Sequence, residues 1–407
     1  MQKRTLGVVV RGLRGPIIHE GDDVAQLVTD TLLNAAEQAK FEIMDKDVLG
    51  ITESVVARAQ GNYATVDDIV RDVQEKFPGV THLGLIFPIL SRNRFSICLH
   101  AFARAMDKIT LMLSYPSDEV GNQLISDVSL RDSGVNPWTE CLDEATFRET
   151  FGYQLHPFTG VDYIELYREI CESENCELEV LFSNRARKIL DYVPNVITCD
   201  IHTRYVTLAK LLEDPRSEIV KGFFQILNTK SDDHGYNEEH GLLGSNLATP
   251  ESIKLFPRDS AKLVNKIQHK VKEITGQTIE VMIYGDGAFK DPVGKIWELA
   301  DPVVSPAYTP GLEGSPDEVK LKYLADSHGQ KLSKDDEEKF IREMIQAQHK
   351  NSAGDALSSE EEAARLGTTP RRLTDLLGSL CDLASGSGDK GTPFIYIQGY
   401  FDNYASE

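Results

Sequence analysis

The sequence predicts an α+β fold with a parallel α/β layer in the middle of the chain, and three observations predict it. From about Thr65 to Leu227, strand-like and helix-like runs alternate: Leu83–Phe87, a helix over Phe95–Met106, Ile109–Leu113, then Glu179–Phe182, a helix over Arg185–Tyr192, and Val196–Thr198. Strands that alternate with helices pair in parallel, because each helix carries the chain back along the sheet. Outside that segment, short apolar runs at Leu6–Val10, Val48–Ile51, Ile279–Tyr284 and Phe394–Gln398 stand beside glycine-rich or acidic turns. The length of 407 residues with 41% apolar content supports two domains, or one core with a large insertion.

Charge and composition narrow the partners. A formal charge of −21 repels a phosphate backbone, so nucleic acid is not expected, and an anionic ligand must be held by local arginines, glycine amides or a metal. No run approaches the roughly 18 apolar residues of a membrane span, and Met1 to Arg4 leads straight into a strand with no signal-peptide core. A cytoplasmic protein without a membrane partner is therefore expected. The six cysteines show no CxxC spacing, which points to reduced, structural thiols and no zinc site.

Taken in order, Leu6–Val10 is followed by a loop of glycine, proline and arginine, Arg11–Pro16, and by Ile17 and Ile18. Asp22 or Asp23 then caps a helix whose apolar stripe is Val24, Leu27, Val28, Thr31, Leu32 and Ala35. The strand Val48–Ile51 runs into Glu53–Gly61, where Ser54 and Arg58 stand near a small-residue helix start that is either a phosphate cradle or an ordinary strand-to-helix junction. In the alternating segment, Ser91–Arg94 follows one strand and Pro116–Asn122 follows the next. Ligands of open α/β sheets gather at the carboxyl ends of strands, so Arg92, Arg94, Ser117 and Asn122 are candidates to bind a carboxylate or phosphate; the arginines could equally pair with neighbouring acids.

Residues 228–247 are polar and acidic, with Asp233, Glu239 and His240 as candidate metal ligands in what could also be a solvated loop. A basic amphipathic helix covers Pro257–Ile274, and the strand Ile279–Tyr284 ends on Gly285-Asp286-Gly287. One carboxylate between glycines at a strand tip suits a divalent cation carrying phosphates, or a tight turn in which Asp286 bonds its own backbone. Ser333–Arg365 reads as a charged helical surface excursion. The stretch Ser385–Gly391, just before the strand Phe394–Gln398, is a flexible linker or a phosphate loop; its position beside a final strand favours the loop.

These pieces, in this order, resemble the coenzyme F-420-0:L-glutamate ligase (gamma-glutamyl ligase) family. The resemblance lies in three blocks: Gly7–Gly61, with Gly12-Leu13, Gly21–Ala25 and Val55–Gly61; Gly241 to about Asp301, with Gly244–Leu247 and Asp286; and Leu376–Tyr400, with Gly388–Gly399. It implies a gamma-glutamyl-ligase-like mixed core formed by residues 1–64 and 228–407, interrupted by an inserted α/β (parallel-sheet) domain at 65–227. It also implies a homodimer that uses GTP (or ATP) with Mg2+ or Mn2+ to phosphorylate a small-molecule carboxylate and couple it to an amino acid. Residue by residue, Asp286 becomes a metal ligand and catalytic group, with Lys290 near the position of the family's following arginine. Gly15, Ile17 and Ile18 become a backbone phosphate cradle, Arg58 stands for a nucleotide-binding lysine, Asn246 contacts the nucleotide, and Gly388 and Gly391 close the pocket. The chain departs from the family where Leu243 takes the place of a metal-binding aspartate, since a leucine cannot coordinate a hard cation.

Overall fold

A computed structural model describes residues 5–156, 160–285, 289–290, 297–298, 305–314, 321, 326, 333–351, 372–385, 390–403 and 405. Two large sheets organise them, and the fold is α+β. The first sheet draws its strands from both ends of the chain, in the order Val9–Leu13, Phe394–Gln398, Val48–Thr52, Glu280–Tyr284 and Ala307–Tyr308. Val48–Thr52 and Glu280–Tyr284 run parallel, and the remaining pairs are antiparallel.

Helices cover both faces of this mixed sheet, which is why its central strands read as nearly unbroken apolar runs. Leu49, Ile51, Val281, Ile283, Phe394 and Tyr396 pack with Val24, Val28 and Leu32 of the helix Val24–Ala39 and with Val264, Ile267 and Val271 of the helix Ser260–Thr275. Successive strand residues point to opposite faces, so Val48, Met282, Ile395 and Ile397 meet Leu377 and Cys381 of the helix Leu373–Ser385 instead. Gly50 permits that second contact: a Cβ there would lie 2.4 Å from the Cys381 sulfur.

The second sheet has six strands, in the order Leu142–Asp143, Glu177–Phe182, Lys108–Leu113, His82–Ile86, Val196–Thr198 and Val220–Gly222. All but the antiparallel edge pair Leu142–Asp143 with Glu177–Phe182 are parallel, so the alternation of the middle segment does produce an inserted parallel layer. Val66–Lys76, Phe95–Ala105 and Tyr163–Ser173 cover one face, through Ile69, Val73, Phe102, Tyr167 and Cys171. Ala186–Asp191 and Arg204–Leu212 cover the other, through Ile189, Leu190 and Leu211. A small antiparallel sheet, Asn246–Thr249, Ser252–Lys254 and Tyr63–Thr65, lies where the middle segment enters and leaves the core.

Some elements differ from expectation. The first strand is Val9–Leu13 and not Leu6–Val10, because its partner Phe394–Gln398 extends the ladder across Arg11 and Gly12, and Arg11 donates to the Gln398 side chain. Arg185–Tyr192 is a 3-10 turn over Ala186–Asp191; of the expected charged excursion Ser333–Arg365, the helix Lys334–Asn351 is described and residues 352–365 lie outside the described residues. All six cysteines are free thiols, and no described helix is long and apolar enough to cross a membrane.

Candidate active site

The small antiparallel sheet is the floor of an open cleft of about 800 Å3. Its register explains which side chains face the cleft. Asn246 is paired with Lys254, and Lys254 with Tyr63, so these three form one row on one face; Thr249 is paired with Ser252 on the same side. Ile253 and Ala64 point the other way, into the core beneath. Ser54 and Arg58 come down from the helix Glu53–Ala59, and His19, Glu20 and Asn93 complete the rim. Asn62, buried, holds the assembly together: its Nδ2 donates to the carbonyl of Phe256 at 2.8 Å, its Oδ1 accepts from Tyr236 N–H at 3.0 Å, and its carbonyl accepts from Leu255 N–H at 2.9 Å.

Within the cleft, Arg58 is anchored by one bond, Nε donating to the carbonyl of Ile18. Lys254 is anchored by two: its ammonium donates to Glu53 Oε1 at 3.0 Å and to Ser54 Oγ at 2.7 Å. Both partners of that ion pair are deeply buried, with Lys254 8% and Glu53 6% exposed.

A second convergence lies at the strand tips. Tyr284 is paired with Thr52 in parallel, so Gly285 and Glu53 leave the mixed sheet at the same edge. Thr52 N–H donates to the carbonyl of Pro393 at 3.0 Å, and Gly15 N–H to the carbonyl of Gly391 at 3.1 Å. Gly391 has φ +62°, which a side chain would strain.

The chain matches the family model described as F420-0:gamma-glutamyl ligase over residues 12–399. It is a member of the F420-0:gamma-glutamyl ligase family. No curated protein gives a significant match.

In this ligase-family chain the structure brings Ser54, Arg58 and Asn246 into one cleft, and places Gly15 against Gly391. The Gly15 amide is engaged by that contact, Ile18 is buried with its carbonyl on Arg58, and Ile17 is exposed. Asp286 and Gly388 lie outside the described residues. The backbone of Lys290 pairs with Trp297 in a short antiparallel ladder, Phe289–Lys290 with Trp297–Glu298. Among the inserted-layer candidates, Asn93 lines the cleft and its carbonyl accepts from Leu247 N–H at 2.7 Å, so the loop carrying Arg92 and Arg94 borders the site. Arg92 is exposed, whereas Arg94 lines a separate small cavity with Ile201, Leu243 and Ser245.

Ser117 and Asn122 do not line the cleft. Ser117 bridges Gln123, and Asn122 closes a turn around the buried Asp118, whose carboxyl accepts from Leu90 N–H (2.8 Å), Val120 N–H (3.1 Å), Asn122 N–H (2.8 Å) and Asn122 Nδ2 (2.8 Å). Burial pushes this carboxyl up to about 6, against the pull of those four bonds.

The expected cation ligands of the stretch 228–247 are not arranged as a set. Glu239 points to solvent, while His240 is buried edge-on against Phe256, with its basicity lowered by burial. Leu243 is buried in apolar surroundings. Among the described residues no group of three or more His, Cys, Asp or Glu side chains could hold a metal ion, so these residues by themselves do not fit one.

The sequence did not single out Lys254 and Tyr63, and it marked Asn93 only as part of the loop Ser91–Arg94. The signal for Lys254 was present in Ser252-Ile253-Lys254-Leu255: strict alternation places serine and lysine together on the face opposite the apolar pair.

Proposed function

We propose that the chain is a nucleotide- and metal-dependent amide (gamma-glutamyl) ligase that activates a substrate carboxylate with GTP or ATP, in the presence of magnesium or manganese, and couples it to L-glutamate or a similar amine. The observation that carries this reading is the meeting of Ser54, Arg58 and Asn246 in one cleft, from segments on either side of the inserted layer. The reading assigns residues 1–64 and 228–407 to the ligase core and 65–227 to the inserted domain, and it places a homodimer in the cytoplasm, a reducing compartment that suits the free thiols.

In this reaction a carboxylate oxygen attacks the terminal phosphorus, the bond to the bridging oxygen breaks, and the nucleoside diphosphate leaves with the electron pair. The amine then attacks the acyl carbon, the C–N bond forms, and phosphate leaves while the amine proton passes to solvent. Phosphoryl transfer of this kind depends on positioning and charge stabilisation more than on covalent chemistry. Arg58, tied by its Nε, keeps its terminal donors for phosphate oxygens. Asn246 offers an amide to the nucleotide, and Ser54 a hydroxyl. The acceptor carboxylate lies at the rim near Asn93 and Arg92, in a protein whose overall charge otherwise repels it.

A second reading, a catalytically inactive nucleotide-binding or scaffold protein of the same fold, is favoured by Leu243, buried where the family carries an acid. One experiment separates the two: purified protein is supplied with GTP or ATP, magnesium or manganese, glutamate and a panel of carboxylic acids. The ligase reading expects phosphate release that requires both a carboxylic acid and the amine, and that Arg58→Met lowers at least tenfold, the worth of about 1.4 kcal/mol. Nucleotide binding without release for any acid would establish the scaffold.

A further inference from the structure

Lys254 is not among the residues that the family resemblance marks, yet it is the most constrained cation in the cleft. It occupies the centre of the floor row, with Asn246 on one side and Tyr63 on the other. Its ammonium is buried, and a buried charge is costly unless it is paired and fully hydrogen-bonded. The pairing is present, in Glu53 Oε1 and Ser54 Oγ. The hydrogen bonding is incomplete: an ammonium carries three donors, two are used, and among the described residues the third has no partner. Glu53 and Ser54 both lie at the tip of the strand Val48–Thr52, so they hold the ammonium on the side where the chain also leaves at Gly285.

We infer that Lys254 is the cation that contacts the terminal phosphate of the nucleotide, with Glu53 and Ser54 as the positioning residues that hold its ammonium. This deepens the nucleotide reading of the cleft and rests on it. The third donor meets an oxygen of the phosphoryl group that moves from the nucleotide to the carboxylate, and the fixed ammonium stabilises the charge on that group as its bridging P–O bond breaks and the new P–O bond forms. Arg58, one turn along the helix from Ser54 and held at Ile18, serves the nucleotide whether or not that phosphate is present. The two cations therefore divide the work by phosphate position.

The test is calorimetric binding to the full chain of GTP and GDP, then ATP and ADP, each with magnesium, for the wild type, Lys254→Met and Arg58→Met. Lys254→Met is expected to weaken the triphosphate roughly ten- to hundredfold and leave the diphosphate unchanged, while Arg58→Met weakens both. Equal losses of tri- and diphosphate in Lys254→Met would overturn the inference, as would no loss of either, which would mean that the third donor faces only water. Should Lys254→Met fail to fold because the buried Glu53 loses its counter-charge, the double variant Glu53→Gln/Lys254→Met keeps the same comparison. A wild type that binds none of the four nucleotides would defeat the nucleotide reading itself, and the inference with it; binding with an unaltered preference in the variant defeats the inference alone.

Discussion

The two large sheets of this protein reach similar burial by opposite routes. The parallel sheet takes all its strands from the stretch 82–222, one continuous piece of chain, whereas the mixed sheet places Phe394–Gln398 between Val9–Leu13 and Val48–Thr52. The difference teaches where function can be built. The parallel layer pairs all its strands within that piece and, among the described residues, lends the loop at Asn93 to the cleft. The mixed sheet has to be closed by distant strands, and the closure itself gathers Gly15, Glu53, Gly285 and Gly391–Pro393 at one edge.

The comparison is most sharply tested by deleting residues 391–407. Removing the second strand of the mixed sheet is expected to expose both its neighbours, so that amides of Val9–Leu13 and Val48–Thr52 exchange with solvent at nearly unprotected rates while those of His82–Ile86 and Lys108–Leu113 stay protected. Hydrogen exchange reads this directly, and equal loss in both sheets would show that they fold as one unit.

A smaller effect is expected from Gly50→Val. The new side chain collides with Cys381 on the covering helix, a case of overpacking that should cost roughly 3 kcal/mol in denaturant unfolding. Cys381→Ala in the same chain should restore part of the loss. If it restores none, the strain comes from the strand and not from the helix contact.

The most gradual effect belongs to the parallel layer. Asp118 holds its proton up to about pH 6 in the folded protein, against about 3.9 when unfolded. Between those values the folded state binds more protons than the unfolded state, so this group makes stability fall as pH rises from about 4 to about 6, and contributes no slope above or below. The total is on the order of 3 kcal/mol, spread over that window. Unfolding midpoints of the wild type and Asp118→Asn, measured across that window, should differ in slope; parallel curves would show that the four hydrogen bonds keep the carboxyl ionised throughout.

Much of the parallel layer could be read from the sequence because its signals are local: apolar strands such as Leu83–Phe87 and Ile109–Leu113 alternate with amphipathic helices over a few tens of residues. The first strand could not be placed correctly, because what makes Arg11 and Gly12 extended is a ladder with Tyr396 and Ile395, at the other end of the chain. The site shows the same division. Ser54, Arg58 and Asn246 were legible through short motifs, while Lys254 becomes visible only when the three-stranded register sets it between Asn246 and Tyr63. Ser117 and Asn122 were read as ligand-facing because their loop follows a strand end, but the buried carboxyl of Asp118 turns that loop upon itself.

The insertion of Phe394–Gln398 between Val9–Leu13 and Val48–Thr52 also sets an order in time. On a ribosome the first strand emerges early and finds no partner until residues 394–398 have been made, whereas every strand of the parallel sheet is available once residue 222 is out. Domains fold as units during synthesis, so the strands of the parallel layer can pair while the strand Val9–Leu13 still waits for Phe394–Gln398. During that wait its unpaired backbone edge is a surface for a chaperone to cover.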